Sequence, residues 1–126
     1  MNSDVLLFFE QRLDALPLYE RLEEKILTEI ENVTIKVQKT QIAFSNRRNF
    51  AFVSFLPVRK AKDRPQIYIT ITFGLEYRVD SARIDGAVEP YPNRWSHHVL
   101  LSDAEEIDSE LMGWLREASL FSASKR

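Results

Sequence analysis

His97 and His98 are the only two histidines in a chain of 126 residues. They stand side by side in the stretch Arg94-Trp95-Ser96-His97-His98-Val99-Leu100-Leu101. An imidazole titrates closest to neutrality of all side chains, so it can act as acid, base, anion partner or metal ligand. Neighbours in a strand point to opposite faces. The pair should therefore divide, with one ring hydrogen-bonded toward an interior and one toward an open surface. A one-residue slip in register exchanges the two roles, so the sequence leaves open which ring faces out. The same geometry keeps the two rings from easily sharing one metal ion. The chain has no cysteine, so a zinc site would have to recruit distant carboxylates. We expect neither a metal nor a cofactor.

Other reaction chemistry finds little footing. No Gly-x-Ser-x-Gly elbow is present, and no serine has an obvious activating base. Three unclustered glycines exclude a Walker loop and a dinucleotide fingerprint. Glu105 and Glu106 fall in a helical first turn, where the helix dipole accounts for them. No catalytic residue is assigned.

Charge distribution is more telling than the net charge of −2. Residues 1–31 sum to −5 and residues 32–64 to +7, with −1 over 65–102 and −3 over 103–126. The basic segment holds Lys36, Lys39, Arg47, Arg48, Arg59, Lys60, Lys62 and Arg64, and rings at Tyr68, Tyr77, Tyr91 and Trp95 follow. If some of these converge, charge and stacking would hold an anion, a nucleotide or a single strand. The candidate ligand-binding set is Lys36, Lys39, Arg94, Trp95, His97 and His98. Solvated loops and rings at the core's edge give the same pattern.

The elements that must position these residues follow from hydrophobic period. Residues 3–15 carry one apolar stripe, with Ser3 as a plausible N-cap. Pro17 ends that helix and opens a second one, in which Leu18, Leu22, Ile26 and Ile30 recur at spacing four. The period then changes to two: Val33, Ile35 and Val37 alternate, Ile42 and Phe44 follow, and residues 49–56 form a nearly continuous apolar run. Residues 66–73 alternate most cleanly, with Tyr68, Thr70 and Thr72 opposite the isoleucines. Residues 74–95 read as an irregular loop, a common place for function. Residues 97–101 form a last strand. Ser102 with Glu105 makes a capping box for a final helix whose stripe is Ile107, Leu111, Trp114, Leu115 and Ala118. Phe8 and Met112 lie off their helix stripes. Runs of strands between helices predict an α+β fold. We expect a mostly antiparallel sheet of about five strands, with an N-terminal helical hairpin and a C-terminal helix on one face. The whole of 1–126 reads as one domain: hairpin over 1–31, sheet and helix over 32–120, frayed tail over 121–126. No leader and no membrane span is expected, which suits a cytoplasmic protein.

The residues Lys36 to Lys39, the Phe-rich run Phe50 to Phe55, the His97 to Val99 ending and Glu110 to Leu115 in a capped helix carry a resemblance. Over about residues 30–120 the chain resembles an uncharacterised bacterial and archaeal family known only as a domain of unknown function. Ser119 and Leu120 depart from the more aromatic ending of that pattern. Some members are joined to DNA-processing or restriction-type regions, so the resemblance implies an accessory binding role and supplies no catalytic residue. Three functions follow as expectations. The first is a small binding module for an anionic ligand such as a nucleotide or nucleic acid. The second is a protein–protein interaction or homodimer domain. The third is an enzyme with a histidine acid/base in a pocket under residues 74–95.

Overall fold

The computed structural model describes residues 3–124. Helix α1 spans Ser3–Phe8, and α2 spans Leu16–Glu29 after a 3-10 turn at Leu13–Ala15. The first helix is shorter than its apolar stripe predicts. The chain tightens after Phe8, where the Glu10 amide donates to the Leu7 carbonyl at 3.2 Å. That turn brings Phe9 into the core against Tyr19, with ring centroids 5.2 Å apart. Pro17 sits in the first turn of α2, where its missing N–H costs nothing. Leu18, Leu22 and Ile26 form the buried face of this helix.

Six strands follow rather than about five: β1 Thr34–Val37, β2 Ile42–Ser45, β3 Asn49–Ser54, β4 Ile69–Leu75, β5 Gly86–Tyr91 and β6 Arg94–Leu101. They form one antiparallel sheet in the order β1-β2-β3-β4-β6-β5. The additional strand, β5, lies inside the stretch that reads as a loop. It is an edge strand, mostly exposed, with Pro90 in it, so it shows neither apolar alternation nor an uninterrupted ladder. Helix α3, Ser109–Ser124, crosses β3 and β4 and packs beside α2. Of the tail expected to fray over 121–126, the chain is helical as far as Ser124; residues 125 and 126 lie outside the described residues.

The core lies between the helices and one sheet face. Phe44, Val53, Ile71 and Phe73 from the strands meet Leu22, Ile26, Leu111 and Leu115, all fully or nearly fully buried. A bulge between β2 and β3 pairs Ser45 with Asn49 while Phe44 pairs with Ala51. The extra residue, Phe50, is buried with the core although plain alternation would point it outward. Met112, off the expected stripe, is also buried, so the apolar face of α3 is wider than a single line.

The cap before α3 sits one residue later than Ser102. Asp103 accepts from the Glu105 amide at 2.9 Å, and Glu106 accepts from the Asp103 amide at 3.0 Å. This box closes a 3-10 turn at Ala104–Glu106. Ser102 follows β6 directly, and its own amide donates to the Glu106 carboxylate at 2.8 Å.

The far sheet face is covered at one end by the chain between β3 and β4. The Thr70 hydroxyl donates to the Leu56 carbonyl at 2.8 Å, and the Tyr68 hydroxyl to the Phe55 carbonyl at 3.0 Å. Thr70 and Leu100 are consequently buried beneath this loop, and Tyr68 is buried beside it. Arg59 reaches from the loop to Asp85 at 2.7 Å. The other Asp85 carboxylate oxygen accepts from the Leu100 amide at 2.7 Å, just before β5 begins. Asp85 therefore continues the ladder with a side chain and latches the loop at once. Among the described residues, no helix is long and apolar enough to cross a membrane.

Candidate functional site

Alternation and register place one residue from every strand in a row across the open face. Lys36 pairs with Ala43, Ala43 with Phe52, Phe52 with Thr72, Thr72 with His98, and His98 with Gly86. The middle of this row floors a cleft of about 650 Å³. Phe52, Ser54, Thr72 and His98 come from the strands. Phe8 from α1, Phe55 and Leu56 after β3, and Lys39, Thr40 and Gln41 from the β1–β2 turn make the walls. The Phe8 and Phe55 rings stack at 5.3 Å and 19°, which joins α1 to the chain after β3 in that wall. Phe8, displaced from the helix stripe, packs against the core at Phe9 and also lines the cleft.

His98 is half-buried, and its Nδ1 lies 2.8 Å from the Thr72 hydroxyl oxygen. That contact occupies Nδ1, and the Cδ2 edge of the ring lies toward Gly86 of β5. Burial holds the His98 pKa below the ordinary 6.5, because a desolvated imidazolium loses hydration. Among the described residues lining the cleft there is no carboxylate.

His97 faces the other way and is fully buried. Its ring stacks on Phe73 at 5.0 Å, and Phe73 stacks on Trp114 at 5.8 Å. Its Nε2 accepts from the Val79 amide at 2.9 Å, which puts the proton of the neutral ring on Nδ1. Burial lowers its pKa, against a smaller opposing pull from the Phe73 and Trp95 backbone. His97 anchors the 76–85 loop to the sheet. Trp95 also lies on the helix side, paired with Leu75 and lying under Arg78, whose guanidinium is 5.9 Å from the ring.

Of the six residues singled out from sequence, Lys36, Lys39, Arg94 and His98 thus belong to the open side, and Trp95 and His97 do not. Only Lys39 and His98 line the cleft. Arg94 lies flat over Gly74, where a Cβ would come within 3.0 Å of its guanidinium. The rest of the basic segment spreads around the molecule. Arg59 is held by Asp85. Arg48 sits at the β2–β3 turn, its carbonyl accepting from Ser122 of α3 at 3.0 Å. Arg64 lines a separate hollow beside Arg12. Phe52, Ser54 and Thr72 were not singled out. Their signal was their phase: they alternate with Ala51, Val53, Ile71 and Phe73, whose apolar character marks the helix side. Among the described residues, no three His, Asp or Glu side chains gather as metal ligands do.

The fold and this site define an α+β domain with an open antiparallel sheet, helices on one side and a ring-lined cleft on the other. No curated protein and no solved structure matches the chain significantly. A family model does match, over residues 7–122, and the chain belongs to that family, described as a domain of unknown function (DUF5655).

Proposed function

We propose that the protein is a binding module whose cleft holds a small anion bearing a flat ring, of the nucleotide class. One observation carries this reading: a single cleft of about 650 Å³ joins ring surfaces at Phe8, Phe52 and Phe55 with the Lys39 ammonium and the His98 imidazole. Pockets for small molecules have this size, mostly apolar walls and a few placed polar groups. A ring stacked on Phe52 would present its phosphate to Lys39, with Ser54 and Thr72 left to hydrogen-bond its edge. The loop over Thr70 and Leu100 walls one end, which favours a mononucleotide over a long strand.

A thermal-shift comparison of adenosine and guanosine monophosphates with inorganic phosphate, at low and high salt, tests this. Nucleotides should raise the melting temperature more than phosphate does, and the gain should shrink with salt. Absence of any shift would refute the reading. A second reading, acid/base catalysis, draws on the His98–Thr72 contact inside the same cleft. Turnover of a cleft ligand that His98→Gln abolishes without weakening binding would favour it.

A further inference from the structure

We propose that His98 couples the cleft to pH, so that binding of an anionic ligand takes up a proton on this ring. The inference rests on the cleft being an anion site. Its geometry is that of a cleft-lining histidine whose Nδ1 is committed to Thr72. Nδ1 is 2.8 Å from the Thr72 hydroxyl, and that hydroxyl can donate or accept. It therefore accommodates His98 in either protonation state without rearrangement. With a proton on Nδ1, Thr72 accepts; a second proton on Nε2 makes the ring a cation at the cleft wall. Nε2 has no hydrogen-bond partner among the described residues and is not sealed from solvent.

The surroundings supply no internal counter-ion. From β4 the ring meets Thr72, and from β5 it meets Gly86. From β3, Phe52 and Ser54 share its cleft, and the β1–β2 turn contributes Lys39, a like charge. Asp85, whose backbone amide donates to the His98 carbonyl at 2.8 Å, has its carboxylate held by Arg59 and the Leu100 amide. On the ring's own strand, Arg94 shares the open side and His97 points away. Burial already disfavours the cation. A bound phosphate would be the carboxylate-like partner the site lacks, and it would raise the affinity of His98 for a proton. By linkage the ligand then binds more tightly as pH falls.

The probe is cyclic adenosine monophosphate, whose phosphodiester keeps one negative charge across the range, about pH 5 to 8, in which an imidazole titrates. Calorimetric titration across that range should show affinity rising by up to about tenfold for each pH unit lowered through the His98 transition. His98→Gln keeps a polar group beside Thr72 and should bind with affinity independent of pH. Imidazole NMR on the wild-type protein gives a readout that does not depend on the variant. Two rings report, and only the His98 midpoint should move upward when the probe is added, with His97 as the internal control. Wild-type affinity that is flat with pH, a slope retained in His98→Gln, or an unmoved His98 midpoint would overturn this inference alone. No binding at either end of the range would overturn it together with the anion-site reading.

Discussion

Asp85→Ala should be the most damaging single change outside the hydrophobic core. Asp85 holds the covering loop through Arg59 at 2.7 Å and satisfies the Leu100 amide at 2.7 Å. Leu100 is 1% exposed, so its N–H has no ready alternative in water, and stranding a buried donor costs about 1–3 kcal/mol. The ion pair adds about 1 kcal/mol, because a third of the Arg59 side chain is exposed and solvent screens it. The expected loss is about 2–4 kcal/mol. Asp85→Asn retains an amide oxygen for Leu100 and loses only the charge, so it should cost about 1 kcal/mol, as should Arg59→Met. Urea unfolding of the three variants gives the free energies, and hydrogen exchange at the Leu100 amide reports the local effect. If Asp85→Ala unfolds no more easily than Asp85→Asn, the backbone contact is not what makes this residue matter, and the latch argument fails.

Four further outcomes follow from the same structure. Both histidines have folded pKa values below the ordinary 6.5. On acidification the unfolded chain takes up those protons first. Their contribution to stability is therefore full above about pH 6.5 and falls as pH drops below it; a urea midpoint unchanged between about pH 7 and about pH 5 would refute this. His97→Phe keeps a ring on Phe73 but strands the Val79 amide, so it should lose about 1–3 kcal/mol in the same assay. Phe52→Ala removes the stacking surface and should weaken a mononucleotide by roughly 5- to 150-fold in calorimetry, while leaving inorganic phosphate unaffected. Lys39→Ala should weaken the same ligand by about fivefold and flatten its salt dependence, whereas Arg47→Ala, beyond the cleft, should change neither.

Much of this architecture was legible from period alone. The alternation of Ile67, Ile69, Ile71 and Phe73 marks the central strand, and its helix-facing set is the set the structure buries from Ile69 onward. The stripes of α2 and α3 are likewise plain. What escaped has physical causes. β5 is an edge strand interrupted by Pro90 and mostly wet, so nothing selects apolar alternation in it. Phe50 obeys a bulge that only the β2–β3 pairing reveals. The cleft depends on facts of register: His97 and His98 are symmetrical in sequence until Phe73 is found opposite one and Thr72 opposite the other. The basic segment misled in a different way, because a run of cations along the chain says nothing about where a covering loop will carry them. Arg59 reaches out of that loop to Asp85, and Arg48 stands in the β2–β3 turn, where its carbonyl meets Ser122 of α3.

The row from Lys36 to Gly86 takes a single member from each of the six strands. The cleft therefore belongs to no segment of the chain. A peptide ending in the covering loop would carry Lys39, Phe52 and Phe55 but lack Thr72 and His98, and the complementary peptide would have the reverse deficit. Assembly of the cleft and assembly of the sheet are in this sense a single event. Lengthening a hairpin tip leaves the inward and outward phase of every strand intact, but inserting one residue within a central strand turns its contribution to face the helices.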